Sequence, residues 1–157
     1  MASIKTKQEL ENYKQDIETA YQPCRVLTAN QDTILKNNNG SFDRVAVKDW
    51  PWIEYWRAMT GVTETRLTCS SCGEVIFVGE VPKVMQNLYL SAGDSPDRHK
   101  ACGGHLWVNS PKSGKYPGGR YIAPLCPGCN NKRGENIPIL KGTRICKELG
   151  GHIKEGE

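Results

Sequence analysis

No apolar run in the 157 residues approaches the ~18 needed to cross a bilayer as a helix, so a helical membrane span is excluded. The opening residues, MASIKTKQELENYKQD, lack an apolar signal region, and the expected location is a reducing cytoplasm. No segment recurs at a fixed period, which argues against a repeat array. The most informative absence is of acid. Between Arg98 and Gly134 there is no Asp or Glu, while Arg98, Lys100, Lys112, Lys115, Arg120, Lys132 and Arg133 all fall there. A hard divalent cation bound by that stretch lacks its preferred carboxylate ligands. The same stretch carries a local positive surplus suited to phosphate, or to offsetting a negatively charged metal–thiolate cluster. The formal charge of +4 is correspondingly uneven, with nine basic and nine acidic residues up to position 66, and twelve and eight beyond it.

What the chain does have is cysteine, seven in all, an odd number that favours metal over disulfides in a reducing compartment. Two C-x2-C pairs stand out, Cys69-Ser70-Ser71-Cys72 followed by Gly73, and Cys126-Pro127-Gly128-Cys129. Two intervening residues let both sulfurs of a pair point to one side of a tight turn, and glycine and proline suit such turns. Together the pairs offer four thiolates to one tetrahedral zinc. Cys102-Gly103-Gly104-His105 is a C-x2-H pair, so Cys102 and His105 are alternative ligands. A second complete site would need His99, Cys24 or Cys146. Cys69, Cys72, Cys126 and Cys129 are the preferred set, because they match a knuckle followed by a ligand-bearing helix.

The element pattern is α+β. Thr6 to Glu9 reads as a capping box opening a helix to about Ala20, with Leu10, Tyr13, Ile17 and Tyr21 on one stripe. Residues 25–35 suggest a strand or part of a hairpin, 36–41 a loop, and Phe42 to Val47 a short strand. Asp49 is placed to cap a second helix that ends at Gly61, with Trp52, Ile53, Trp56 and Met59 sharing a face. Strands are expected at 65–68, 75–78, 105–109 and 120–125, and helices at 82–90 and from Cys126. These readings divide the chain into a helical N-terminal portion (1–65), a zinc domain (66–140) and a C-terminal tail (141–157).

Knuckle, spacer, β-hairpin and short helix in that order resemble a treble-clef zinc site. With His105 on the first hairpin strand, Gly118-Gly119 in the loop and Leu125-Cys126-Pro127-Gly128-Cys129-Asn130 at the close, residues 69–134 also resemble the ββα-metal motif of HNH endonucleases. The run from Gly104-His105 to Tyr121-Ile122-Ala123-Pro124-Leu125-Cys126 is similar to small zinc-domain proteins with a GxHV…YIVPLCxxCN pattern. The nuclease resemblance implies His105 as general base and Asn130 holding a magnesium or manganese ion. Lys132 or Arg133 would then neutralise phosphate. Gly104 stands where that family places a metal ligand, and Tyr121 near the position of its orienting Asn.

The leading expectation is therefore a non-catalytic binding module with a structural zinc, contacting nucleic acid or a protein partner. Lys112, Lys115, Arg120, Lys132 and Arg133 are its candidate nucleic-acid face. The alternatives are a metal-dependent HNH-like DNA endonuclease, and a toxin, effector or inhibitor acting through protein contacts around Trp50 to Trp56.

Overall fold

A computed structural model describes residues 4–20, 26–28, 34–38, 50–108, 119–132 and 135–147. Helix α1 (Lys7–Ala20) starts at the expected capping box. The Glu9 N–H donates to Thr6 Oγ1 at 3.0 Å, and the Thr6 N–H donates back to Glu9 Oε1 at 3.2 Å. Each bond satisfies an amide that the first helical turn leaves without a partner. Helix α2 (Trp52–Thr60) ends at Gly61, whose φ of 76° is the left-handed conformation that favours glycine at a helix end. Asp49, its expected cap, lies outside the described residues.

The main sheet runs in the order β1-β8-β6-β5-β2-β7, with every adjacent pair antiparallel. Its centre is the hairpin of β5 (Cys102–Val108) and β6 (Gly119–Leu125). Around it stand β1 (Val26–Thr28), β2 (Ile34–Asn38), β7 (Asn136–Pro138) and β8 (Arg144–Lys147). Strands from residues 26–38 and 136–147 thus join the sheet built on the central hairpin. Among the described residues, β1 and β2 do not pair with each other. β2 also continues through Lys36 to Asn38, where composition suggested loop, because those residues find ladder partners on β5 and β7. A separate two-stranded hairpin, β3 (Arg66–Thr68) and β4 (Val75–Phe77), carries the first cysteine pair. Helix α3 (Lys83–Ser91) follows it, and a 3-10 turn over Pro96–His99 leads into β5.

Alternation along the strands divides the core between the two faces of the sheet. One face, with Ile122 and Cys146, receives Trp52, Ile53, Tyr55, Trp56 and Met59 of α2, backed by Leu10, Tyr13 and Ile17 of α1. The other face, with Leu106, Tyr121, Ala123, Leu125 and Ile145, packs on Cys69, Cys126, Cys129, Ile137 and Ile139. Every residue of α2 from Trp52 to Met59 is buried, including Glu54 and Arg57. These two form an ion pair at 2.6 Å. Glu54 Oε2 accepts the Ile4 N–H at 2.8 Å, and Arg57 donates to the carbonyls of Ile4 (3.1 Å) and Thr63 (2.7 Å). A helix buried on all sides must pair such charges internally, and this network pairs them and clamps the residue that leads into α1, with Arg57 Nε alone of the guanidinium and carboxylate atoms left without a partner among the described residues.

Candidate metal centre

The first knuckle is the turn between β3 and β4. The Cys69 N–H donates to the Glu74 carbonyl at 2.7 Å, the Gly73 N–H to Cys69 O at 3.1 Å, and Gly73 takes a φ of 83°. The second knuckle is the single-turn helix α4 (Pro127–Asn130), which begins where β6 ends. Pro127 fits its first position because the proline nitrogen has no hydrogen to leave unsatisfied. Cys126 caps it, its sulfur accepting the Cys129 N–H at 3.4 Å. The Ser70 N–H donates to Pro124 O at 2.9 Å and the Ala101 N–H to Phe77 O at 2.8 Å, tying the β3–β4 hairpin to the end of β6 and the start of β5.

These links bring the Sγ atoms of Cys69, Cys72, Cys126 and Cys129 within 4.8 Å of one another. The Cys72 and Cys126 sulfurs are 3.8 Å apart. A tetrahedral ion with metal–sulfur bonds of about 2.3 Å needs sulfur–sulfur edges of about 3.8 Å, so this donor set fits a thiolate-ligated metal. Cys69, Cys126 and Cys129 are buried, while Cys72 is exposed. Burial pushes the Cys69 thiol up, but backbone N–H groups of Cys72, Cys126 and Ser71 outweigh it and hold that thiol below its ordinary value. The Cys126 N–H reaches the Cys69 sulfur at 3.3 Å. Burial, then the charge at Cys69, pushes Cys129 well up. Four thiolates this close need a cation to coexist, so a metal bound here would displace protons from the sulfurs.

The structure separates the other candidates. Strand β5 alternates, and its two glycines mark its two faces. A Cβ on Gly103 would lie 2.6 Å from the backbone of Trp52 and Ile53, whereas one on Gly104 would lie 2.3 Å from Leu125 Cδ1 and 3.3 Å from Asn130 Oδ1. His105 shares the Gly103 side, its ring 5.2 Å from that of Trp52 in an edge-on contact. Asn130 sits across the sheet, with the cysteines. His105 and Asn130 therefore do not converge, and His105 cannot join Cys102 on one metal. Leu125 fills the space a metal ligand at position 104 would need. Cys102 flanks the centre, its thiol pushed up to about 11 by burial and by the charges at Cys126 and Cys69. Among the described residues, Cys102 falls outside the four-sulfur group.

Cys146 is fully buried on the α2 side, and Cys24 lies outside the described residues. His99 stacks on Tyr89, with ring centroids 3.8 Å apart, and its Nε2 is 2.8 Å from Asp94. Among the described residues, neither Cys146 nor His99 belongs to a group of metal-ligating side chains. Of the basic residues, Lys132 is exposed just past α4, and Arg120 occupies β6 opposite Trp107. Lys112, Lys115 and Arg133 lie outside the described residues.

Sequence reasoning missed the turn at Leu140–Thr143, where the Leu140 N–H donates to Ser70 O at 2.7 Å and braces the first knuckle. Its signal was the Lys141-Gly142 pair. Among the described residues no helix is long and apolar enough to cross a membrane. Compared with known proteins, the chain matches no family model, no curated protein and no solved structure.

Proposed function

We propose that this chain is a zinc-stabilised binding module without catalysis of its own, contacting nucleic acid or a protein partner, and that its centre is a treble-clef-like site. The observation that carries the reading is the convergence of four cysteine sulfurs from two knuckles, with backbone N–H groups aimed at two of them. An all-sulfur donor set selects zinc among the common divalent ions. Four protein ligands leave no open coordination position for a substrate, so the metal joins β3–β4 to β6 and α4 and contributes to folding. His105 and Asn130 lie on opposite faces of the sheet, which favours binding over phosphodiester cleavage. For the partner, support comes from the acid-free, lysine- and arginine-bearing stretch between Arg98 and Gly134.

The test begins with the metal content of the purified full chain. One zinc per chain, lost in Cys126→Ser and retained in Cys102→Ser and His105→Ala, is the expected result. A folded chain that binds no metal would overturn the reading. Binding to a mixed DNA and RNA pool that weakens steeply with salt would identify nucleic acid as the partner class. Salt-insensitive retention of a protein by the zinc-loaded chain would identify a protein partner. Magnesium-dependent nicking of plasmid that disappears in His105→Ala would replace this reading with the nuclease.

A further inference from the structure

Beside Cys69 and Ser70 of the first knuckle lies a cavity of about 300 Å³ between β3, the end of β6 and the turn leading into β8. Its apolar walls are Trp56, Leu67, Pro124 and Leu140. Lys141 and Arg144, both exposed, also line it, and Thr68, Ser70 and Thr143 add hydroxyl groups. None of the described lining residues is acidic. One guanidinium nitrogen of Arg144 donates to Thr60 O at 2.8 Å, which anchors the side chain and leaves the second terminal nitrogen for another acceptor. The Trp56 indole N–H donates to Arg144 O at 2.7 Å and fixes the wall beneath it.

We propose that this cavity binds a small organic anion, an apolar or aromatic body carrying a phosphate or carboxylate group. An apolar cleft of this size with a few convergent polar groups is the usual form of a small-molecule site. Here the polar side chains of the lining are two cations and three hydroxyls, with no carboxylate, which favours negative charge in the ligand. The apolar walls select for a body behind that charge. Lys141 and Arg144 have a competing use, which is to offset the negative metal–thiolate cluster beyond Cys69. In that case they would hold no external anion.

The experiment is an amide NMR titration of the full chain, with its metal content measured on the same sample. Four probes are used: phenyl phosphate, phenylacetate, inorganic phosphate and benzyl alcohol. The expected result is saturable shifts confined to residues 67–70 and 140–144. Phenyl phosphate or phenylacetate should bind at least about tenfold tighter than inorganic phosphate or benzyl alcohol, since only they use both parts of the cavity. The tighter of the two identifies phosphate or carboxylate as the headgroup. Lys141→Glu, in an exposed turn, should weaken that binding about tenfold or more by replacing a charge-assisted contact with repulsion. No localised shift with either organic anion would overturn the proposal and leave the cations to the metal cluster. Binding indifferent to Lys141→Glu, or inorganic phosphate binding equally well, would also overturn it. Because zinc content is read separately, a chain lacking zinc can still pass this test, and a zinc-loaded chain can fail it.

Discussion

Replacing Glu54 by leucine removes the carboxylate that accepts both the Arg57 guanidinium and the Ile4 N–H. Both side chains of the ion pair are at most 2% exposed, so water cannot take over the lost contact. Leaving one member of a buried pair uncompensated costs about 3–5 kcal/mol, and for a domain of this size that lowers the melting temperature by roughly 10 °C. The pair is nonetheless not a net gain for its own carboxylate. Burial holds Glu54 above the usual carboxylate range, and the Ile4 N–H and Arg57 only partly counter it. The folded chain therefore keeps this proton at a pH where the unfolded chain has already released it. The stability contributed by Glu54 is largest below its unfolded pKa and declines as pH rises through its folded one. The assay is urea denaturation of Glu54→Leu, Arg57→Met and the double variant, metal-loaded, at several pH values. The double variant should lose at least about 1 kcal/mol less than the sum of the two singles, because one change removes the partner that the other strands. Strictly additive losses, or a Glu54→Leu chain within 1 kcal/mol of the parent, would refute the clamp.

Chelation of the metal should abolish cooperative unfolding, and cobalt in its place should give the intense sulfur-to-metal absorption of a tetrahedral thiolate site; a chelated chain with an unchanged melting curve would count against a folding role. Metal occupancy should fall as pH is lowered, since protons compete for the sulfurs, and zinc addition near pH 7 should release protons measurable in weakly buffered solution. Cys102, with its thiol pushed up to about 11, should alkylate slowly at pH 7.5 and progressively faster as pH approaches that value. Gly103→Ala should destabilise by about 1–3 kcal/mol, read by thermal melting, because its Cβ would meet the α2 backbone at 2.6 Å.

That the two cysteine pairs form one cluster was legible in the sequence, because spacing and flanking glycines are local information. Thr6 and Glu9, and Gly61, likewise announced the start of α1 and the end of α2 through local backbone chemistry. What the sequence concealed depends on distant partners. Ile34 to Asn38 reads as loop over its second half, and becomes strand only because β5 and β7 flank it. Arg144 to Lys147 has no strong pattern, yet it sits between β1 and β6. The Cys102-Gly103-Gly104-His105 run looks like a ligand pair until alternation along β5 sends its two ends to opposite faces. Gly104 looks like a ligand lost from a nuclease motif, while in the fold it is the room that Leu125 occupies.

The order of strands across the sheet has a consequence for biosynthesis. β1 is made early, but its hydrogen-bonding partner is β8, about 120 residues later. β6 shares that same partner on its outer edge. On the ribosome, both strands must wait with open edges until residues near 147 leave the exit tunnel. Folding is then a late event, governed by contacts of long sequence separation and exposed to mispairing in the interval. The second cysteine pair emerges before β8, so a metal held by the two pairs would be captured before the sheet is complete and would hold the central hairpin ready for its last strand.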